Sequence, residues 1–108
     1  MGTYENNEYE DTDVYDISFC FLVYRPDYEK LFITLNSIVQ QKGCRYEIVL
    51  TDDGSEDFRH QEIEQWLDER HFSQYTIVRS PVNRGIVHNE MNALRVARGR
   101  HIPWRLFI

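Results

Sequence analysis

The sequence predicts an α/β domain with a mainly parallel sheet, and three observations lead to this prediction. Apolar runs alternate with segments of helical periodicity in the order β-α-β-α-β-α-β. The first run, residues 17–24, is almost continuously apolar, as in a strand that is covered on both faces. Two adjacent acids, Asp52 and Asp53, follow the second run, and open α/β sheets bind ligands at the carboxyl ends of their strands.

Length and charge divide the chain into one small domain and an acidic segment before it. Residues 1–16 carry six acids and no base, so we expect a disordered, solvated tail. The other residues carry 12 acids and 12 bases, and this balance gives no case for a nucleic-acid partner. After Glu90 there are four arginines and no acid, which suits either an anionic ligand or surface or a solvated helix face.

No targeting or membrane segment is visible in the sequence. No stretch approaches the ~20 apolar residues that span a bilayer, and the N-terminus lacks an apolar signal-peptide segment. We therefore expect a cytoplasmic location, and peripheral association of the full-length protein with the cytoplasmic face of the membrane is compatible with it. Cys20 in the first apolar run and Cys44 in a loop show no metal-binding spacing and suit a reducing compartment.

The first half of the domain is predicted to contain two strands and a helix. The helix covers residues 27–41, because Asp27 favours its N-terminus, apolar residues recur at helical spacing, and Gly43 follows its end. The second strand covers residues 46–51. Ser55 is then expected to cap a second helix.

The second half continues the same alternation. A third strand is predicted at residues 75–79, followed by a loop and a third helix over residues 88–98. Met91, Leu94 and Ala97 are expected to face the core from this helix. Gly99 would end the helix, and residues 100–108 would begin a fourth strand.

Several functions place acids after a strand, and the sequence argues against most of them. A phosphatase that forms an aspartyl-phosphate would need an acid where Thr51 stands, and an EF-hand loop needs alternating ligands. The dinucleotide, P-loop and nucleophile-elbow motifs are absent. Two interpretations remain equally open: a carboxylate that accepts the imide N–H of a nucleotide base, or a helix-capping turn with exposed acids.

An ordered set of short segments is present at residues 17–24, 35–41, 47–55 and 83–86, followed by Asn89, residues 92–94, Ala97 and Gly99. Through this set, residues 17–102 resemble the nucleotide-sugar-binding half of a family 2 glycosyltransferase. The resemblance implies the GT-A fold, a Rossmann-like three-layer α/β arrangement that is incomplete in this chain. The order and the intervals of the segments carry the resemblance, since each segment alone is short.

The resemblance also implies which residues bind the nucleotide-sugar donor. Asp53 would hydrogen-bond the base, usually that of a uridine diphosphate sugar, and Asp52 would help to shape the pocket. Val23 and Tyr24 would line the nucleotide site. Arg25 follows Tyr24 where the family commonly has Asn, so the chemistry of this loop departs from the family pattern.

Gly85 and Asn89 would lie near the donor in the same family. Each has an alternative role that is equally open at this point. Gly85 would serve only the turn, and Asn89 would only cap the third helix.

The family's activity further implies Mg²⁺ or Mn²⁺ on a D-x-D motif and a later acid as general base. The sugar would pass with inversion to a glycan or lipid-linked acceptor. The metal motif should begin near position 106, where this chain has Leu106, Phe107 and Ile108. We therefore expect no catalytic residue, metal ligand or other cofactor site in this chain, and no transferase activity from it alone.

Residues 103–108 form an atypical C-terminal end by the same comparison, and Pro103 is poorly placed for a central strand. A frameshift or a disrupted gene would produce such an end. A D-x-D motif in another frame beyond codon 102 would support this origin, and its absence from every frame would contradict it. The predicted function is sugar transfer in polysaccharide or surface-glycan synthesis. The alternative is a non-catalytic nucleotide-binding or interaction module without the metal site.

Overall fold

The computed structural model describes residues 2–5 and 15–108, which form five strands and three helices. The strands are β1 (Gly2–Glu5), β2 (Tyr15–Val23), β3 (Tyr46–Asp52), β4 (Tyr75–Arg79) and β5 (Gly99–Phe107). The helices are α1 (Tyr28–Val39), α2 (His60–Glu69) and α3 (Ile86–Val96). Among these described residues, no helix has the length and apolar character needed to cross a membrane.

The strands form one sheet in the order β1-β4-β3-β2-β5. Neighbouring strands from β4 to β5 are parallel, and only β1 is antiparallel to its neighbour. Helices α1 and α2 pack on one face of the sheet and α3 on the other. The predicted α/β class with a mainly parallel sheet is therefore confirmed, and the arrangement is consistent with the partial Rossmann-like GT-A half that the resemblance implies.

The N-terminal region differs from the disordered tail that we expected over residues 1–16. Strand β1 pairs with β4 at the edge of the sheet, and Tyr15 and Asp16 begin β2. Residues 6–14, which also belong to the predicted tail, lie outside the described residues. Composition misses β1 because an extended segment pairs through its backbone N–H and C=O groups, whatever charge its side chains carry.

The larger core lies between the sheet and helices α1 and α2. The carboxylate of the N-cap residue Asp27 accepts a hydrogen bond from the backbone N–H of Lys30 at 3.2 Å. Leu31, Leu35 and Ile38 of α1 are buried against the sheet. The helix predicted over residues 27–41 is therefore present with slightly closer ends.

Helix α2 begins at His60, later than expected, because Ser55 is not its N-cap. The hydroxyl of Ser55 donates to Asp52 at 2.5 Å and accepts from the backbone N–H of Arg25 at 2.7 Å. Arg59 occupies the N-cap position without a side-chain hydrogen bond to the helix. Ser55 thus fixes the turn after β3 rather than the start of α2.

Helix α3 faces the sheet with different residues from those predicted. Asn89, Asn92 and Ala93 are buried, whereas Met91 and Leu94 are exposed. The prediction that Met91 and Leu94 face the core is wrong. The prediction assumed that the apolar residues of α3 face the core. Asparagines can take the buried positions instead, because they find hydrogen-bond partners there.

A smaller core lies between the sheet and α3. It contains Cys20, Leu22, Val49 and Ala93, with Ala97 packed against it. The expectations that Cys20 is a core residue and that Ala97 faces inward are therefore confirmed.

The last six residues largely belong to β5, which pairs parallel with β2. The stretch from Ile17 to Phe19 of β2 faces a longer one from His101 to Trp104 of β5, so the register shifts there. Pro103 lies within this irregular stretch. A proline is accommodated at a bulge or on an edge strand, and β5 is at the edge of the described sheet.

A buried polar network joins β2, β3 and the start of β5. The carboxylate of Glu47 accepts from the hydroxyl of Ser18 at 2.6 Å and from the backbone N–H of Arg98. The hydroxyl of Ser18 in turn accepts from the backbone N–H of Gly99 at 2.7 Å. A Cβ on Gly99 would lie 2.5 Å from two atoms of Ser18, so only glycine fits at this crossing.

Candidate functional site

The carboxyl ends of β2 and β3 and the N-terminus of α3 surround a cleft of about 290 Å³. Its lining residues are Leu22, Val23, Tyr24, Asp53, Ile86, Asn89, Phe107 and Ile108. The wall is mostly apolar, and its polar groups are the side chains of Asp53 and Asn89 and the hydroxyl of Tyr24. Its volume is near the lower end of the range for small-molecule sites.

Asp53 follows β3 and binds the loop after β4. One carboxylate oxygen accepts from the backbone N–H of Arg84 at 2.8 Å. The other accepts from the backbone N–H of Gly85 at 2.9 Å and from Nδ2 of Asn83 at 3.1 Å. A carboxylate can accept about four hydrogen bonds, so one acceptor position of Asp53 remains for a ligand.

Asp52, by contrast, faces the turn that follows β3 and is absent from the wall of the cleft. Its two oxygens accept from the hydroxyl of Ser55 at 2.5 Å and from its backbone N–H at 3.0 Å. Burial raises the pKa of Asp52, although the Ser55 hydrogen bonds and the charge of Arg79 oppose the rise. Asp52 therefore stabilises the turn after β3.

Two glycines allow the turn after β3 and the loop after β4 to approach each other. Gly54 has a φ of 77°, and a Cβ there would lie 2.3 Å from the backbone of Val82. Gly85 has a φ of 97°, and a Cβ there would meet no neighbouring atom. Glycine is therefore favoured at this position by its backbone conformation and not by lack of space. Gly85 serves the turn, and its N–H also orients Asp53.

Asn89 connects α3 to the ends of two strands. Its Nδ2 donates to the carbonyl of Thr51 at 3.1 Å and to that of Val23 at 3.5 Å. The N-cap of α3 is Gly85, so the alternative that Asn89 caps this helix is wrong. The buried Oδ1 of Asn89 has no hydrogen-bond partner among the described residues.

Phe107 and Ile108 form one side of the cleft, in the region where the acidic metal motif was expected. Across the described parts of the chain, no three His, Cys, Asp or Glu side chains group together as metal ligands. Of the residues that line the cleft, Asp53 alone carries a side-chain carboxylate. The residues present therefore do not fit a Mg²⁺ or Mn²⁺ ion, which prefers several oxygen ligands.

The structure brings most of the predicted donor-binding residues together. Those on the cleft wall are Val23, Tyr24, Asp53 and Asn89. Gly85 lies beside the cleft through its hydrogen bond to Asp53, and Asp52 points into the turn.

Four apolar lining residues, Leu22, Ile86, Phe107 and Ile108, were not predicted from the sequence to bind the donor. Ile86 follows Gly85 directly, and this position at the start of a helix next to a strand end was an available signal. Phe107 and Ile108 reach the cleft because β5 pairs with β2, and the backbone N–H of Ile108 donates to Leu22 at 3.0 Å. That pairing could not be read from periodicity alone.

Comparison with protein-family models gives a match to Glycosyl transferase family 2 over residues 18–107. The match includes residues of every strand that borders the cleft. It continues past residue 102 into residues 103–107, which belong to the end that we expected to be atypical. A comparison with curated proteins gave no match. Because the family match spans most of the chain, this protein belongs to glycosyl transferase family 2.

Proposed function

We propose that this chain binds a nucleotide-diphosphate sugar, with a uridine diphosphate sugar as the first candidate, in the cleft beside β2 and β3. Family membership supports a glycosyl-transfer role. The single observation that carries donor binding is the convergence of Val23, Tyr24, Asp53 and Asn89 on one cleft.

Base recognition by Asp53 is the central contact of the proposal. A uracil imide N–H would donate to the acceptor position of Asp53 that the loop leaves free. The ring of Tyr24, which is 39% exposed at the cleft, suits the face of a planar base. Base binding and the conformation of the loop at residues 83–85 would thus depend on the same carboxylate.

The proposed reaction is direct displacement at the sugar carbon, with inversion, by a glycan or lipid-linked acceptor in polysaccharide or surface-glycan synthesis. We propose that this reaction takes place in the cytoplasm, at the cytoplasmic face of the membrane. The Mg²⁺ or Mn²⁺ and the general base expected from the family have no fitting residues in this chain, so no step is assigned to them. We propose that the 108-residue chain alone transfers no sugar.

A second candidate function is a nucleotide-binding or interaction module without catalysis. The apolar side chains of Phe107 and Ile108 at the cleft favour it, because they offer no ligand to a metal-bound diphosphate. Both candidate functions include recognition of the nucleotide base. They differ in whether sugar transfer follows binding.

Titration of the purified chain with uridine diphosphate, with and without Mn²⁺, tests the binding step. We expect binding that does not require metal and that weakens at least about tenfold in Asp53→Ala, since a charged hydrogen bond is lost. Asn83→Ala is the matched control, because it removes one loop donor but keeps the base acceptor, and its loss should be smaller. No binding by the unaltered chain would refute the proposal.

Incubation with a uridine diphosphate sugar and detection of released uridine diphosphate tests the catalytic step. We expect neither transfer nor hydrolysis from the chain alone. Metal-dependent turnover would overturn the proposed inactivity and also eliminate the non-catalytic module.

A further inference from the structure

The outward face of α3 is apolar. Val87, Met91 and Leu94 recur at helical spacing on the side away from the sheet, and Ile86 is exposed beside them. Val87 is 73% exposed and Met91 is 55% exposed. We call Val87, Met91 and Leu94 the α3 stripe.

The polarity of α3 is the reverse of that of an ordinary surface helix. Asn89 and Asn92 face the sheet, while the α3 stripe faces outward. Burying asparagines stabilises the fold only where partners exist, and exposing an apolar stripe contributes nothing to the folded monomer. The stripe therefore points to a surface that covers it.

The segment that contains the α3 stripe is rich in arginine. Residues 84–108 contain five arginines and a single acid, Glu90, whereas the rest of the chain is acidic. Arg84 precedes the helix and Arg95 lies in its last turn, and both are exposed. Glu90 is paired with Arg105 at 3.6 Å, so these two side chains together carry no net charge.

We propose that the α3 stripe and its flanking arginines dock on an anionic lipid surface. An apolar helix face inserts at the boundary between headgroups and acyl chains, and arginines beside it bind lipid phosphates. A neutral apolar partner would match the stripe but would supply no counter-charge to Arg84 and Arg95. This inference does not depend on the proposed donor binding.

Docking by α3 also has a consequence for the cleft. Ile86 is exposed beside the stripe and lines the cleft as well. An acceptor held in the membrane would then lie next to the donor site, a point that rests on the proposed function.

Co-sedimentation of the full chain with vesicles tests the inference. We expect binding to phosphatidylcholine vesicles that contain roughly one-third phosphatidylglycerol and little binding to phosphatidylcholine alone. Binding should weaken as NaCl is raised, because salt screens the arginine–phosphate attraction.

The double variant Val87→Ser/Met91→Ser should reduce vesicle partitioning at least about tenfold through lost apolar burial. Arg95→Glu should reduce it at least about fivefold through lost attraction. Ile33→Ser and Lys42→Glu are matched controls, since Ile33 is 65% exposed on α1 across the sheet and Lys42 is an exposed loop cation. Both controls should bind as the unaltered chain does.

Unchanged partitioning of Val87→Ser/Met91→Ser, or equal partitioning to both vesicle types, would overturn the inference. Self-association of the unaltered chain without vesicle binding would do so too, by assigning the stripe to a second copy. Thermal unfolding of each variant checks that its fold is retained. Uridine diphosphate titration of Val87→Ser/Met91→Ser should be unchanged, so failure of lipid docking is separable from failure of donor binding.

Discussion

The neighbouring carboxylates of Asp52 and Asp53 have separate sets of hydrogen-bond donors. Asp52 accepts from Ser55 within its own turn, and Asp53 accepts from the loop after β4. Each set of N–H and O–H donors offsets part of the cost of burying a negative charge. The pair can therefore remain at the end of β3 without a bound cation.

Asp52 should make folding stability depend on pH in a definite direction. Its pKa in the folded protein is raised above the ordinary value of 3.8, chiefly by burial. The folded state therefore holds more protons than the unfolded state between those two values. The contribution of Asp52 is fully present below 3.8 and is lost as pH rises through the folded pKa.

Urea unfolding at a series of pH values measures this effect, with Asp52→Asn as the reference that cannot titrate. We expect the free energy of unfolding of the unaltered chain, relative to Asp52→Asn, to fall as pH rises above 3.8. A relative stability that stays constant or rises over this range would contradict the assigned direction.

The two cysteines should differ sharply in reactivity. Burial raises the pKa of Cys20 to about 12, and its side chain is enclosed in the smaller core, whereas Cys44 is exposed. Because the thiolate is the reactive form, a thiol reagent should modify only Cys44 in the folded chain. In Cys44→Ser, modification should appear only on unfolding, and rapid reaction of folded Cys44→Ser would contradict the assignment.

At the scale of elements, the end of β3 opposite the cleft is held by the Glu47 network. Replacing Glu47 by Ala should lower the free energy of unfolding by about 2–4 kcal/mol, because a buried hydroxyl and a backbone N–H lose their acceptor. Urea denaturation measures the loss. Glu47→Gln is the control, since it keeps the volume and one acceptor oxygen, and it should lose less.

Equal losses in Glu47→Ala and Glu47→Gln would show that charge, and not acceptor geometry, dominates at this position. A loss below about 1 kcal/mol in Glu47→Ala would contradict the role given to the network, because a surface substitution costs as little.

The sequence was informative for elements with a regular apolar pattern. Strands β3 and β4 and helix α1 lie within a residue or two of their predicted bounds. The sequence was less informative where side-chain hydrogen bonds, and not the spacing of apolar residues, decide the local structure. Ser55 bonds back to Asp52 rather than forward to α2, and two asparagines replace apolar residues on the inner face of α3.

At the scale of the whole molecule, the order of the strands explains which residues of the site could be predicted from the sequence. Parallel strands bring their carboxyl ends to one edge, so the meeting of Val23, Asp53 and Asn89 followed from topology. The added strand β1 and the bulged pairing of β5 depend on backbone contacts between distant segments. No local sequence pattern indicates these contacts. For the same reason, the sequence did not predict that Phe107 and Ile108 form the apolar side of the cleft.

The position of β2 between β3 and β5 also bears on how the chain reaches its fold. Strand β2 is synthesised early, yet its second neighbour is the last strand along the chain. Pairing segments so distant in sequence requires a large loop to close first, which makes folding slow. Until residue 107 is available, one edge of β2 stays open to other chains, so the nascent protein is most prone to aggregate in that interval.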